Sequence, residues 1–538
     1  MNPSPEDFAE HIRSVLDKGN TAQALSIFID IRNADNLKDN SCQLISLLFV
    51  YLTSEYASNH KDIFKCCEML LWILTEQSSP QRALIQIKDE IARSNDDMTF
   101  HALLKPLSKI LYTVPQRNLD PLICSLNAIE VFLKRVPPTR VINLAVNRKI
   151  LMARDERTVR INELYTTTAA FYDIIISEAK LNATEHKTKI IQKYLINLLG
   201  GPIAHLDMDN IQGITNKSSS LAQFLVRKAL ELFLDPMHVL KINLRHTNDI
   251  FRPHFLGVAI LFYLLFAMQV RVGSYPMVYA PEYILKNTLY LVTELLKTQN
   301  QISAQKGLDL ATALFKPFTR KRIPYSLFDT KDHDDFIEAL SELIANNKME
   351  HIKRRGLEVL KDHLWLFDIH GFYILVDYYI HNETNSYLIG YVVTQYKDLL
   401  SQELIRDTKI SVYCKDLHLH RVLKQLCQLA RGPKTDLARV TDQTLSSLYL
   451  LKFLAVHDKT NCTNIWGYLP QLEVTYLLPL TKALKYSRSV YEEKVREWEG
   501  GMVCCRDLQH LDSSLNWFDV MERVSTSLLE LIKDRKEH

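Results

Sequence analysis

The chain of 538 residues is 47% apolar and 24% charged, the balance of a folded globular protein rather than a disordered one. Only 14 residues are glycine, well below a usual usage of roughly 7%, which leaves little material for tight hairpins or phosphate-cradling loops. A net charge of +3 argues against nucleic acid as a partner, because its binders concentrate far more positive charge.

The opening reads as a helix. Ser4 suits the N-cap, Pro5 the first helical position, and Glu6 and Asp7 the positive end of the dipole. Phe8, Ile12, Val15 and Leu16 then share one face, and Gly19-Asn20 can close the turn in a left-handed conformation. A second helix is expected from about Thr21 to Arg32. Helix, short connection, helix is the pattern that continues, with no alternation that supports a strand. The first residues lack the apolar core of a secretory signal. The nine cysteines are scattered, without Cys-x-x-Cys, and the adjacent pairs Cys66-Cys67 and Cys504-Cys505 do not suit a shared zinc; free thiols in a reducing compartment are expected.

Gly200-Gly201-Pro202 and then Gly213 to Ser220 are the most loop-like stretch, which divides the chain into an N-terminal helical-repeat region, 1–212, and a C-terminal HEAT-like domain, 213–538. The most apolar run, Phe255 to Met268, ends at Gln269 and Arg271. It falls short of the roughly 20 residues of a spanning helix and predicts a buried one, with no membrane association. The Asn-x-Ser/Thr triplets at Asn182, Asn216, Asn382 and Asn461 are then chance occurrences. Gly257, Gly307 and Gly356 recur at intervals of 50 and 49 residues. Aligned on them, Val258, Leu308 and Leu357 match, as do Ile260, Leu310 and Val359, then Leu265, Phe315 and Leu364, then Met268, Phe318 and Phe367. One helix pair cannot bury its apolar face alone, so such units stack. The period predicts an all-α, HEAT/armadillo-like helical-repeat solenoid of stacked antiparallel helix pairs, with units somewhat longer than the roughly 40–47 residues usual for those repeats. The glycine lets neighbouring helices approach closely.

No phosphate-binding loop or nucleophile elbow is present. His418 and His420 point apart on a helix, and His363, His370 and His381 lack metal-ligand spacing, so neither catalysis nor a bound cofactor or metal is expected. Lys316, Arg320, Lys321 and Arg322, followed one repeat later by Lys353, Arg354 and Arg355, could form a basic ridge that attracts an acidic partner and permits nuclear entry. Helix Thr481 to Glu499 interleaves Lys482, Lys485, Arg488, Lys494 and Arg496 with acids and with Tyr486, Tyr491 and Trp498, the composition of binding hot spots. After an irregular stretch, Glu499 to Ser513, a final helix capped by Asp512 or Ser513 turns Leu515, Phe518, Met521, Val524, Leu528 and Ile532 inward and seals the stack.

The C-terminal segments carry a resemblance. Ser447 to Asp458, Trp466, Leu478-Pro479-Leu480, Ser487, Tyr491-Glu492 and Phe518 to Val524 follow in the order and spacing seen in the glomulin and aberrant lateral root formation protein family. Upstream, Tyr275 to Leu285 resembles the same family, and weaker similarity reaches back to about Leu195. The resemblance, that of a divergent, invertebrate-like member, implies a non-enzymatic protein that binds the RING subunit of cullin–RING ubiquitin ligases and masks the surface that docks the ubiquitin-conjugating enzyme. No cofactor is expected, and the protein is expected to be monomeric by itself, in the cytoplasm with nuclear access. Arg488, Tyr491 and Lys494 are the partner-binding candidates. The alternative is a scaffold or transport adaptor that uses the basic ridge.

Overall fold

The computed structural model describes residues 5–113, 119–137, 155–182, 184–209, 216–232, 235–244, 251–270, 279–298, 300–319, 321–327, 330–406, 409–499 and 506–537. Among them the protein is all helical; one isolated parallel bridge joins Ile323 to Phe367. Of the features singled out in the sequence, Ser4, Tyr275 to Val278, Arg320 and the pair Cys504-Cys505 lie outside the described residues. The chain divides into two compact units, Met1–Leu314 and Phe315–His538. The break expected at 212/213 falls among residues 210–215, which are not described.

In the first unit, α1 (Pro5–Asp17) buries Phe8, Ile12, Val15 and Leu16, and Gly19 takes a φ of +74° to turn the chain. The second helix, α2 (Thr21–Ile29), is shorter than expected. Asp30 is extended, and its carboxylate accepts from the Arg32 amide at 3.0 Å, which ends the α-helix and starts a 3-10 turn, Ile31–Asn33. A short polar side chain bonding to nearby backbone competes with helix continuation.

Further along, α3 (Glu185–Leu199) crosses α4 (Phe255–Phe262), which runs on through a π-helical turn, Tyr263–Ala267. The apolar run beginning at Phe255 is thus a buried helix, as its length predicts, and no described helix is long and apolar enough to cross a membrane. A polar tie supports the crossing. Glu130, on the helix Asp120–Lys134, accepts from Asn197 at 2.9 Å, while the Asn197 side-chain carbonyl accepts from the His254 amide at 2.8 Å. Burial alone would raise the Glu130 pKa, but hydrogen bonds from His254, Lys134 and Asn197 bring it down to about 2.

The glycine repeat holds for two of its three members. On α6 (Gln301–Phe315), a Cβ at Gly307 would lie 2.9 Å from Leu295 Cβ of the preceding helix, α5 (Pro281–Leu296). In the second unit, Gly356 on α8 (Glu350–Leu366) meets Ile344 of the preceding helix, α7 (Lys331–Asn346), in the same way, at 2.8 Å. Both mark where the second helix of a pair presses on the first. Gly257 differs: it abuts the backbone of Ile196 on α3, a helix well back in the chain. Its apolar neighbours keep the repeat's burial, but its contact is another kind of crossing.

The second unit continues with α9 (Ile369–Asn382), α10 (Ser386–Ile405), α11 (Asp416–Leu426), α12 (Thr441–His457), α13 (Leu478–Glu499) and α14 (Arg506–Glu537). Helices α10 and α12 lie side by side with their N-terminal ends together, and α8 touches the middle of α10 near its own C-terminal end. The Trp365 indole donates to Gln395 at 3.1 Å, the Gln443 amide donates to the Ser386 hydroxyl at 3.1 Å, and Gly390 sits against the Asp442 carbonyl. This is the stacked arrangement that the repeat predicts. The final helix begins at Arg506, so Asp512 and Ser513 are inside it and do not cap it. Its inward stripe is as expected, with Phe518, Met521, Val524, Leu528 and Ile532 buried, while Leu515 is half-buried.

Candidate protein-binding surfaces

Helix α13 is built by its two faces. Leu480, Ala483, Leu484 and Ser487 are buried, and Lys482, Lys485, Tyr486, Ser489, Glu493, Lys494 and Arg496 are exposed. The three candidates fall on different parts of this surface. Arg488 is committed within the molecule: its guanidinium reaches Asp519 at 2.5 Å and Glu522 at 2.9 Å, both on α14. The bond to Asp519 is the main reason that its pKa is raised further. Tyr491 donates to Asp436 at 3.3 Å and sets its ring edge-on to Phe518, with centroids 5.4 Å apart; burial raises its pKa. Lys494 lies over the Tyr491 ring at 4.5 Å and points to solvent. Arg488 and Tyr491 therefore fasten α13 to its neighbours, and Lys494 is the member that faces outward. The Trp498 side chain lies outside what is described.

The basic ridge is also partly engaged. Arg322 is half-buried over the Trp365 indole at 4.9 Å, and burial lowers its pKa. Arg355 bonds Glu358 at 2.8 Å. Of the histidines, His420 stacks on Tyr468 at 4.3 Å while His418 meets Tyr373 and Tyr413, so the two do part company. His363 is buried against His333, with their Nε2 atoms 2.8 Å apart inside a cage that includes Phe336 and Phe367. Desolvation holds both imidazoles below their ordinary pKa, with His333 near 4. Among the described residues no group of three or more His, Cys, Asp or Glu side chains is placed to hold a metal.

The first unit contains one unusual cation. Lys306 is buried on α6, and its ammonium donates to the Ala204 carbonyl at 2.7 Å; Ser303 donates to the same oxygen at 3.3 Å. Desolvation brings the Lys306 pKa down to about 7. Two side chains of α6 thus secure the 3-10 turn Pro202–His205 that follows α3.

One surface was not anticipated. On α10, Tyr387, Tyr391, Thr394 and Asp398 follow at helical spacing, and on α12 Asp442, Ser446, Tyr449, Phe453 and Val456 do the same; all are exposed or half-buried. The spacing was available in the sequence. What was missing was the knowledge that the two stripes face the same way.

Among known proteins, the family described as "Uncharacterised protein family, YAP/Alf4/glomulin" matches residues 257–523. Glomulin of Mus musculus is 24% identical over 52% of this chain and 50% of its own length. Glomulin of Homo sapiens gives the same identity and coverage. The chain spans about half the length of the curated relatives it matches. A solved structure, a circular tandem repeat protein with novel repeat topology, aligns over 99% of this chain at 12% identity, but its TM-score of 0.14 gives it no architectural weight.

Proposed function

Since the chain belongs to the YAP/Alf4/glomulin family, we propose that it is a non-enzymatic regulator that binds the RING subunit of cullin–RING ubiquitin ligases and masks the docking surface for the ubiquitin-conjugating enzyme. The observation that carries this reading is the position of the family match, which covers α4 and most of the second unit up to Arg523. Masking needs no catalytic group. It needs an interface of standard size, roughly 1,200–2,000 Å² in total, on a surface already ordered before binding. Helices α8 to α14 offer such a surface. We assign partner binding to the C-terminal part, 213–538, with Lys494 as the outward contact and Arg488 and Tyr491 as the residues that position its helix. Tyr486, 45% exposed one turn from Lys482, adds an aromatic anchor of the kind found at hot spots. On this reading the protein is a monomer of the cytoplasm and nucleus until it meets a ligase.

The test is capture of a purified RING subunit by the full chain, followed by a ubiquitin-transfer assay. Capture with reduced transfer supports the reading; no capture, or capture with undiminished transfer, refutes it. The scaffold alternative predicts instead that charge reversal at Lys316 and Lys321 abolishes the main association. It is the weaker one, because Arg322 and Arg355 of its ridge already have partners.

A further inference from the structure

The tyrosine-rich face of α10 and α12, bordered by carboxylates of α8, has a chemistry different from that of α13. Tyr387 and Tyr449 are 42% and 47% exposed, far more than a tyrosine needs for packing alone. Tyr391 and Phe453 are half-buried between and beyond them. The charges near the ring hydroxyls are anionic. Glu350 and Asp442 act on Tyr387, while Asp362, Glu358 and Asp398 act on Tyr391. Burial first, and then these charges, raise both phenols, Tyr391 to about 12. Several carboxylates of this face have cations beside them. Arg354 and Arg355 are paired with Glu358 at 3.9 and 2.8 Å, Lys397 approaches Asp398 at 3.9 Å, Lys361 and Arg355 moderate Asp362, and Lys452 is half-buried on α12. At the N-terminal end, Asp442 is held above its usual pKa by burial, with no cation among the causes.

Carboxylates beside open aromatic rings fit a guanidinium. It can lie flat on a tyrosine and donate to a neighbouring carboxylate at once, which a lysine ammonium does less well. Adjacent packed helices are about 8–10 Å apart, so the stripes of α10 and α12 are bridged by about three residues of extended chain. We propose that the face formed by Glu350, Tyr387, Tyr391, Asp442, Tyr449 and Phe453 is a second docking surface, and that it takes an extended, arginine-containing basic segment of a partner protein. This assignment rests on the exposed side chains of α10 and α12 and not on the RING reading.

The probe is a fluorescent ten-residue peptide of alternating arginine and glycine, measured by anisotropy with the full chain against its lysine and glutamate counterparts. The expected order is arginine above lysine by about five-fold, with no binding of the glutamate peptide. Tyr387→Leu with Tyr449→Leu keeps every charge, and should weaken the arginine peptide about ten-fold and erase its advantage over lysine. Asp442→Asn should weaken it about three-fold. Lys482→Glu on α13 should leave it unchanged. A single cooperative thermal unfolding transition in each variant confirms that it is folded. Equal binding by the tyrosine variant, loss of the arginine preference in the native protein, or no binding at all would overturn the proposal. RING capture, measured in parallel, is expected to be indifferent to the tyrosine variant. Failure of RING capture with retained peptide binding would break the proposed function alone.

Discussion

Helix α13 and the face of α10 and α12 present similar materials in opposite states. On α13 the most eligible cation, Arg488, is held by two carboxylates of α14, and the most eligible aromatic, Tyr491, leans on Phe518. On the other face Tyr387 and Tyr449 stand open, and among the described residues Asp442 forms no ion pair. A charge or ring read in a sequence shows what could be bound, and only the fold shows which groups are already engaged. The side chains that look like an interface on α13 serve largely to build it.

The sharpest way to break this comparison is to remove what α13 leans on. Phe518 is fully buried beneath the Tyr491 ring, so Phe518→Ala leaves a cavity between α13 and α14. The expected loss is about 3–5 kcal/mol of stability, read as a lower denaturation midpoint, together with weaker RING capture. If the midpoint were unchanged, the claim that α13 is positioned by its contact with α14 would fail. Gly390→Ala probes the other side. A Cβ there would lie 2.7 Å from the Asp442 carbonyl oxygen, so the backbones of α10 and α12 must part. We expect a loss of about 1–3 kcal/mol, partly offset by the better helix propensity of alanine, and weaker binding of the arginine peptide as the tyrosine stripes separate. Gly356→Ala is the control. It meets only the movable Ile344 side chain and should cost less.

A finer comparison lies within α13. Arg488→Met removes a two-carboxylate ion pair that is about one-third exposed, and should cost about 1 kcal/mol in urea denaturation, shrinking in high salt. Lys494→Ala should change stability by less than about 0.5 kcal/mol, yet weaken RING capture more than Arg488→Met does. The reverse order would assign partner contact to Arg488 and structure to Lys494.

Much of the architecture was legible because it rests on local rules. Amphipathic spacing gave the inward stripe of α14, the Gly19-Asn20 pair gave the turn after α1, and the length of the apolar run that begins at Phe255 gave its burial. The equivalence of Gly307 and Gly356 followed from period alone. The misses share a cause. The early end of α2 depends on the Asp30 carboxylate turning back on Arg32, and the early start of α14 on residues with no marked periodicity. The partners of Arg488 lie 31 and 34 residues on, beyond the reach of helical spacing. The tyrosine face was visible only as two separate stripes, because their shared direction is set by the packing of α10 on α12.

The smallest expected effect gives the most direct measure of an unpartnered charge. Burial raises the folded-state pKa of Asp442 above its ordinary 3.8, so the ionised form is disfavoured by folding. Between the unfolded and folded values the native state holds more protons, and stability falls as pH rises through that window. Below 3.8 both states are protonated and the penalty vanishes; above the folded value it is fully present. The position of Asp442 in the first turn of α12 lets the helix dipole oppose this cost, and much of its side chain is in water, so the net effect is small. Asp442→Asn should therefore melt slightly higher than the native chain near neutral pH and lose that advantage as pH is lowered into the carboxylate range. The arginine peptide should do to the native protein what the substitution does, supplying a partner and raising its melting temperature, and should raise that of the Asp442→Asn variant less, in step with its roughly three-fold weaker binding. A peptide that stabilises both proteins equally would show that Asp442 is not where its charge is met.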